Sequence, residues 1–367
     1  MSRRKPGEHA VTRRGALSSS HRRAGVLAAV VGVVAVVVIA TLSLGGAKPG
    51  SAGDPPSGPP PSPVPPPAEI LTPHSNMPDP FVLYHDGRYY LYSSNWGLGA
   101  PNVPVRESSS LTGWSPATDA MPKMPAWAVS FFTWAPDVRR YGPHDYVLYF
   151  TAMRSHPPYD ECIGAATGAS PVGPFKAEAS PMICQLDDFG SIDPRTFVDH
   201  QGRLWMLWKS DNDHGGASQK HTWIFSQRLA PGGLRLVGPR YRLLTNNQHW
   251  EGPIVEAPAM LYHGGVYWLF YSGNWFNKPG YGIGVARCAS VAGPCTKPLD
   301  RPWLGSGPGG RGPGEASVFV GPAGHAWLLY GPWCYGCVQS MVRPVAMMGI
   351  AFDSWGPYPV SPTKLTG

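Results

Sequence analysis

From residue 68 onward, apolar and polar positions alternate in short runs bounded by Gly, Pro, Asn and Asp, and no segment keeps a helical period over three turns. The pattern predicts strands throughout. One shape recurs five times: an acidic residue, a short apolar run, a turn residue eight or nine positions on, then an aromatic-rich run. The copies open at Asp79, Asp137, Asp193, Glu256 and Glu315 and turn at Gly87, Asp145, Gly202, Gly264 and Gly324. The aromatic runs that follow are 89–92, 146–149, 204–208, 266–270 and 326–330. Successive turns lie 58, 57, 62 and 60 residues apart. That period predicts an all-β, five-bladed β-propeller with one four-stranded blade per repeat. Residues 343–359 are a spare β-like segment that completes the last blade or covers its edge; residues 68–78 are the alternative.

The leader has a different pattern. Residues 25–44 carry no charge and match the roughly 20 residues that span a bilayer. Seven Lys and Arg precede them, which by the positive-inside rule leaves residues 1–24 cytoplasmic and the remainder outside. The apolar run is long for a signal peptide, and only Gly45-Gly46-Ala47 resembles a cleavage site, so an uncleaved anchor is expected over a secreted product. Residues 45–67 are a Pro/Gly/Ser-rich linker, and 68–367 form the propeller.

The formal net charge of +7 is mostly the leader's, whose first 24 residues contribute +6. No basic stripe remains to bind nucleic acid. All six cysteines follow the apolar run, where an even set suits disulfides. Sequence alone leaves 15 pairings. Short loops favour Cys288 with Cys295 and Cys334 with Cys337, leaving Cys162 with Cys184; the Cys334–Cys337 spacing lacks the βαβ surroundings of a redox motif.

Five carboxylates gathered at one mouth of a propeller suit glycosidic hydrolysis. That reaction needs one carboxyl to protonate the leaving oxygen and another to activate water or attack the sugar. A third carboxylate and desolvation keep the acid protonated. The 14 Trp and 16 Tyr supply flat faces for sugar rings, so an oligo- or polysaccharide is the expected partner.

Four motifs, Met77-Pro78-Asp79-Pro80, Trp134-Ala135-Pro136-Asp137, Ser191-Ile192-Asp193-Pro194 and Val255-Glu256-Ala257-Pro258, occur in order at blade spacing. Over about residues 74–360 the chain resembles glycoside hydrolase family 43, propellers that act with inversion on arabinose- and xylose-containing glycans. The resemblance implies Asp79 as general base, Glu256 as general acid and Asp193 as the carboxylate that orients the acid and keeps it protonated. Trp134 and Trp96 would line the cleft, Arg343 would hydrogen-bond the sugar, and Asp137 would brace its blade. Glu251, in Trp250-Glu251-Gly252-Pro253, is a rival for the acid.

Where many members carry a histidine near a central ion, this chain reads Gly314-Glu315-Ala316-Ser317. Glu315 is therefore either a ligand of a structural Ca²⁺ or the partner of Arg311 or another base. No cofactor is needed for the chemistry. The expected activity is that of an α-L-arabinofuranosidase, with arabinanase, β-xylosidase and galactofuranosidase as alternatives. A retaining mechanism with Asp79 as nucleophile, and a membrane-anchored propeller that binds glycan without cutting it, are the competing hypotheses.

Overall fold

The computed structural model describes residues 67–72, 75–95, 97–213, 221–333 and 342–364. The anticipated membrane anchor, nearly all of the linker, Trp96, Cys334 and Cys337 lie outside the described residues. Among the described residues no helix is long and apolar enough to cross a membrane.

A two-residue strand β1 (Glu69–Ile70) precedes five antiparallel sheets. The first holds β2 (Phe81–His85), β3 (Arg88–Tyr92), β4 (Pro104–Ser108) and β5 (Thr118–Asp119). The second holds β6 (Ala128–Gly142), β7 (Asp145–Arg154), β8 (Glu161–Gly168) and β9 (Lys176–Ala177). The third holds β10 (Ser191–Val198), β11 (Leu204–Ser210), β12 (Trp223–Leu229) and β13 (Leu236–Thr245). The fourth holds β14 (Val255–His263), β15 (Val266–Gly273), β16 (Gly282–Cys288) and β17 (Cys295–Thr296). The fifth holds β18 (Arg311–Val320), β19 (Ala326–Trp333), β20 (Ala346–Asp353) and β21 (Gly356–Val360). Each is one blade of the expected propeller.

The aromatic runs become the second strands because those strands are buried on both faces and need apolar residues at every position. In β7, Tyr146, Leu148 and Phe150 point into the core shared with the first blade, while Val147 and Tyr149 point into the core shared with the third. In β11, Met206 and Trp208 face the second blade and Trp205 and Leu207 the fourth. Two further clusters lie between the fourth and fifth blades and between the fifth and first. Packing is thus a closed chain of blade-to-blade contacts.

Both candidate segments close the ring. β21 pairs along the outer half of β20, and β1 pairs with its start, Glu69 opposite Met347 and Ile70 opposite Ala346. The cysteine pairs Cys162–Cys184 and Cys288–Cys295 form as expected.

The repeat reading of the acids needs a correction. Five residues share a left-handed backbone at the inner end of each blade: Asp79, Ala135, Asp193, Ala257 and Glu315, with φ of 51°, 48°, 59°, 49° and 62°. In the second to fifth blades the strand bulges there, pairing jumping from Trp134 to Asp137, Ile192 to Arg195, Glu256 to Ala259 and Gly314 to Ser317. Proline follows in four blades (Pro80, Pro136, Pro194, Pro258), and its missing N–H costs nothing in a bulge. Only Asp79, Asp193 and Glu315 are therefore equivalent. Glu256 lies one residue before this position and Asp137 two after it. The five acids are therefore not equivalent positions of one regular ring.

Candidate active site

Each left-handed residue presents an N–H that the bulge leaves out of the ladder, and the preceding blade supplies its acceptor. Ser94 Oγ accepts from Ala135 (2.8 Å), Thr151 Oγ1 from Asp193 (3.1 Å) and Ser272 Oγ from Glu315 (2.9 Å). The matching residues of the third and fifth blades, Lys209 and Gly331, have no acceptor on the side chain. There the blade's own acid takes over. Asp193 Oδ2 accepts from Ala257 N–H at 2.8 Å, and Glu315 Oε2 from Asp79 N–H at 2.8 Å.

Asp79, Asp193, Glu256 and Glu315 converge at this end, each within electrostatic reach of others in the set. Ser94 donates to Asp79 Oδ2. Burial, then the Glu315 carboxylate, push Asp79 up to about 8, with Ser94 and Arg343 pulling it back. Burial, then Glu256, raise Asp193 to about 7 against Lys209 and the Ala257 N–H. Glu256 keeps 14% of its side chain exposed at the mouth. Tyr281 Oη donates to its Oε1 at 2.7 Å, and Lys209 Nζ lies 3.2 Å from its Oε2. Gly314 makes room for Tyr281, since a Cβ there would fall 1.8 Å from the phenol ring.

Glu251, the rival acid, occupies a different environment. It is fully buried, with Oε1 bonded by Tyr271 Oη (2.7 Å) and Lys297 Nζ (2.5 Å) and Oε2 by the N–H groups of Asn247 (2.8 Å) and Gln248 (2.9 Å). Asp137, also fully buried, accepts from the Thr196 N–H (3.1 Å) and hydroxyl (2.7 Å) and ties the second blade to the third.

Trp134, half-buried, holds in the second blade the place Glu256 holds in the fourth, just before the left-handed residue. Arg343 is buried. Its Nε lies 3.4 Å from Glu315 Oε1, its Nη1 donates to the Phe276 carbonyl at 2.9 Å, and its Nη2 donates to the carbonyls of Gly312 and Gly331. The guanidinium lies over the rings of Tyr281 and Trp333, 5.2 and 5.0 Å from their centroids. Its described partners are thus protein groups rather than an open subsite. Gly331 permits this pairing, because a Cβ there would lie 2.8 Å from Glu315 Oε2 and 3.2 Å from Arg343 Nε.

The base that Glu315 pairs with is Arg343, not Arg311. A Ca²⁺ site needs several free oxygen ligands. Glu315 instead gives one oxygen to a guanidinium and the other to a backbone N–H, and among the described residues no group of three or more His, Cys, Asp or Glu is arranged to hold a metal ion.

The profile of glycosyl hydrolases family 43 matches residues 73–339. The chain belongs to that family. Among curated relatives, it is 27% identical over 241 residues to an extracellular endo-α-(1→5)-L-arabinanase 2 of Bacillus subtilis (strain 168), covering 59% of this chain and 49% of the relative. It is 24% identical over 242 residues to the extracellular exo-α-(1→5)-L-arabinofuranosidase ArbA of Cellvibrio japonicus (strain Ueda107), covering 59% of this chain and 65% of that protein. The family-43 chain spans about half to two-thirds the length of these relatives. In fold it resembles a thermostable family-43 glycoside hydrolase, with a TM-score of 0.69, 26% identity, and coverage of 80% of this chain and 96% of the other.

Lys209 and Tyr281 are absent from the site read from sequence. Lys209 had a signal, a lone cation inside the apolar run Trp205-Met206-Leu207-Trp208-Lys209. Tyr281 had none, lying in the connection to β16.

Proposed function

We propose that this family-43 chain is an inverting glycosidase in which Asp79 deprotonates the attacking water, Glu256 protonates the leaving glycosidic oxygen, and Asp193 orients and electrostatically supports Glu256. The observation that carries this reading is the contrast between the two glutamates of one segment. Glu251 has four donors and no access, whereas Glu256 reaches the mouth among the raised carboxyls of Asp79 and Asp193. An acid has to meet its substrate, and only Glu256 of the two is placed to do so. The crowding of carboxyls favours retention of a proton within the set, and Asp79, raised to about 8, acts as base only when that proton lies on Glu256 instead.

The bond proposed is an α-L-arabinofuranoside, supported by the names of the two curated relatives; arabinan backbone, β-xyloside and galactofuranoside bonds follow in that order. Trp134 is proposed as a face for a sugar ring, and Arg343 as acting on the site through Glu315. The catalytic domain is proposed to work outside the membrane, in keeping with its two formed disulfides and the charge-flanked apolar leader. Protease accessibility on intact cells tests that placement, and protection of the domain would refute it.

Proton NMR of arabinan, arabinoxylan, xylan and aryl furanosides incubated with the protein tests the chemistry. The inverted anomer is expected to appear first, and Glu256→Ala or Asp79→Ala to lower the rate by at least about 10²–10⁴-fold with thermal unfolding nearly unchanged. Full activity in either variant overturns the assignment.

A further inference from the structure

Lys209 is the one cation among the residues that face the left-handed positions from the second strands; the others are Ser94, Thr151, Ser272 and Gly331. Its side chain is only 1% exposed. An ammonium so deeply buried requires compensating charge, and three carboxyl groups surround it, of which Asp213 is held, against burial, below the ordinary value by Lys209 while burial holds Asp211 well above it. Nζ lies 3.1 Å from Asp213 Oδ1, 3.2 Å from Glu256 Oε2 and 3.4 Å from Asp211 Oδ1. Burial opposes the charge, but Asp213, Glu256 and Asp211 outweigh it and hold Lys209 well above an ordinary lysine. It stays charged.

Glu256 is therefore held on both oxygens by donors, Tyr281 on Oε1 and Lys209 on Oε2. Both contacts fix the orientation of its carboxyl group. A general acid must also carry a proton before each turnover, and Asp211 and Asp213 offer Lys209 another place to rest. Asp193, Asp79 and Glu315 also face Glu256, Asp193 faces Lys209 as well, and Glu161 hydrogen-bonds Asp211. The set thus contains seven carboxyls, the Tyr281 phenol and one ammonium, with Arg343 beyond Tyr281 and Arg195 beside Asp79 and Asp193.

We propose that Lys209 is a positioning residue for the acid step, moving between Glu256 and the Asp211–Asp213 pair as Glu256 loses and regains its proton. When the proton passes from Glu256 to the leaving oxygen, Lys209 closes on the carboxylate and fixes its orientation. When Glu256 takes a proton from solvent, Lys209 moves back to the two aspartates. The proposal rests on the reading of Glu256 as the acid.

The test is a carbon-13 NMR titration of the full-length chain labelled at its glutamate carboxyls, with the Glu256 signal identified by its loss in Glu256→Gln. Lys209→Met is expected to raise the Glu256 midpoint by about one pH unit or more. Asp213→Asn, which leaves more of the lysine's charge to Glu256, is expected to lower it, and Lys209→Arg to stay nearest the wild type. Those signs report the charges around Glu256, and the dependence of rate on the leaving group separates a role in the acid step from a structural one.

In parallel, Lys209→Met should lower kcat about tenfold or more on methyl α-L-arabinofuranoside, whose leaving group needs the proton, and less on the 4-nitrophenyl glycoside. An unmoved Glu256 midpoint in both Lys209→Met and Asp213→Asn, with Glu256→Gln inactive, overturns the role of Lys209 and leaves the acid in place. A Glu256→Gln enzyme at full rate removes the acid step itself, and with it the role of Lys209. If Lys209→Met does not fold, the sign of the Asp213→Asn shift and the Lys209→Arg titration decide.

Discussion

Two kinds of joint hold the inner ends of the blades together. At three of them a hydroxyl of one blade accepts the stranded N–H of the next; at the other two a carboxylate does so. The carboxylate joints occur where the second strand brings Lys209 or Gly331, and they are built from Asp193 and Glu315. The same oxygens thus serve the backbone and sit in the charged site. At the hydroxyl joints the site carboxylates stay out of the joint, although Ser94 Oγ, which accepts from the Ala135 N–H, also donates to Asp79.

Asp193→Ala gives the largest effect expected from this difference, because it removes both duties. The rate is expected to fall about 10²-fold or more, and chemical denaturation to show a loss of about 1–3 kcal/mol from the orphaned Ala257 N–H. Asp193→Asn keeps an acceptor and should recover most of the stability but not the rate. Equal stability of the two variants would break the comparison.

Thr151→Val, at a hydroxyl joint, is expected to cost a similar 1–3 kcal/mol by stranding the Asp193 N–H, while kcat stays within about tenfold of wild type. A larger fall in kcat would show that the hydroxyl joints also serve the chemistry. Gly331→Ala forces a methyl against the Glu315–Arg343 pair, and overpacking of this kind costs about 1–3 kcal/mol in urea unfolding.

The last effect concerns pH. Asp79 is raised to about 8 in the folded chain, from an unfolded value near 3.8. The folded state therefore binds more protons between these values, and its advantage is full below the lower one and lost as pH climbs through the upper one. Asp79→Asn should melt above the wild type at pH 9, by about 2–4 °C for each kcal/mol relieved, with the gap closing near pH 4. Calorimetry at the two pH values measures it, and a gap that grows toward pH 4 contradicts the assignment.

The fold was legible because its strongest signal is cheap to read: a second strand buried on both faces must be apolar throughout, and five such runs follow five turns. The acids were harder. Counting from an acidic residue in each repeat hid the feature that sets the register, a left-handed residue followed by proline, although Asp79-Pro80, Ala135-Pro136, Asp193-Pro194 and Ala257-Pro258 all display it. A strand pattern assumes period two, and the bulge breaks that period where the site lies. Long-range partners were beyond reach for another reason. That Glu315 meets Arg343, or Glu256 meets Tyr281, depends on the curvature of the closed ring and on the absence of a side chain at Gly331 and Gly314.

The seam of the ring carries a consequence for the order of events during folding. Blades one to four are each drawn from a contiguous stretch, but the fifth joins β20 to β1 from the far end of the domain, reinforced by Leu71 N–H on Val345 and Met77 N–H on Arg343. Bringing distant segments together costs more chain entropy than closing a local hairpin. Pulsed hydrogen exchange should therefore find the Leu71 and Met77 amides, on the closing segment, protected last, and early protection there would refute this order. Since Glu315 and Arg343 belong to the last blade in chain order, a nascent chain with four finished blades is structured but chemically incomplete. The same step that seals the domain also brings its charged centre together.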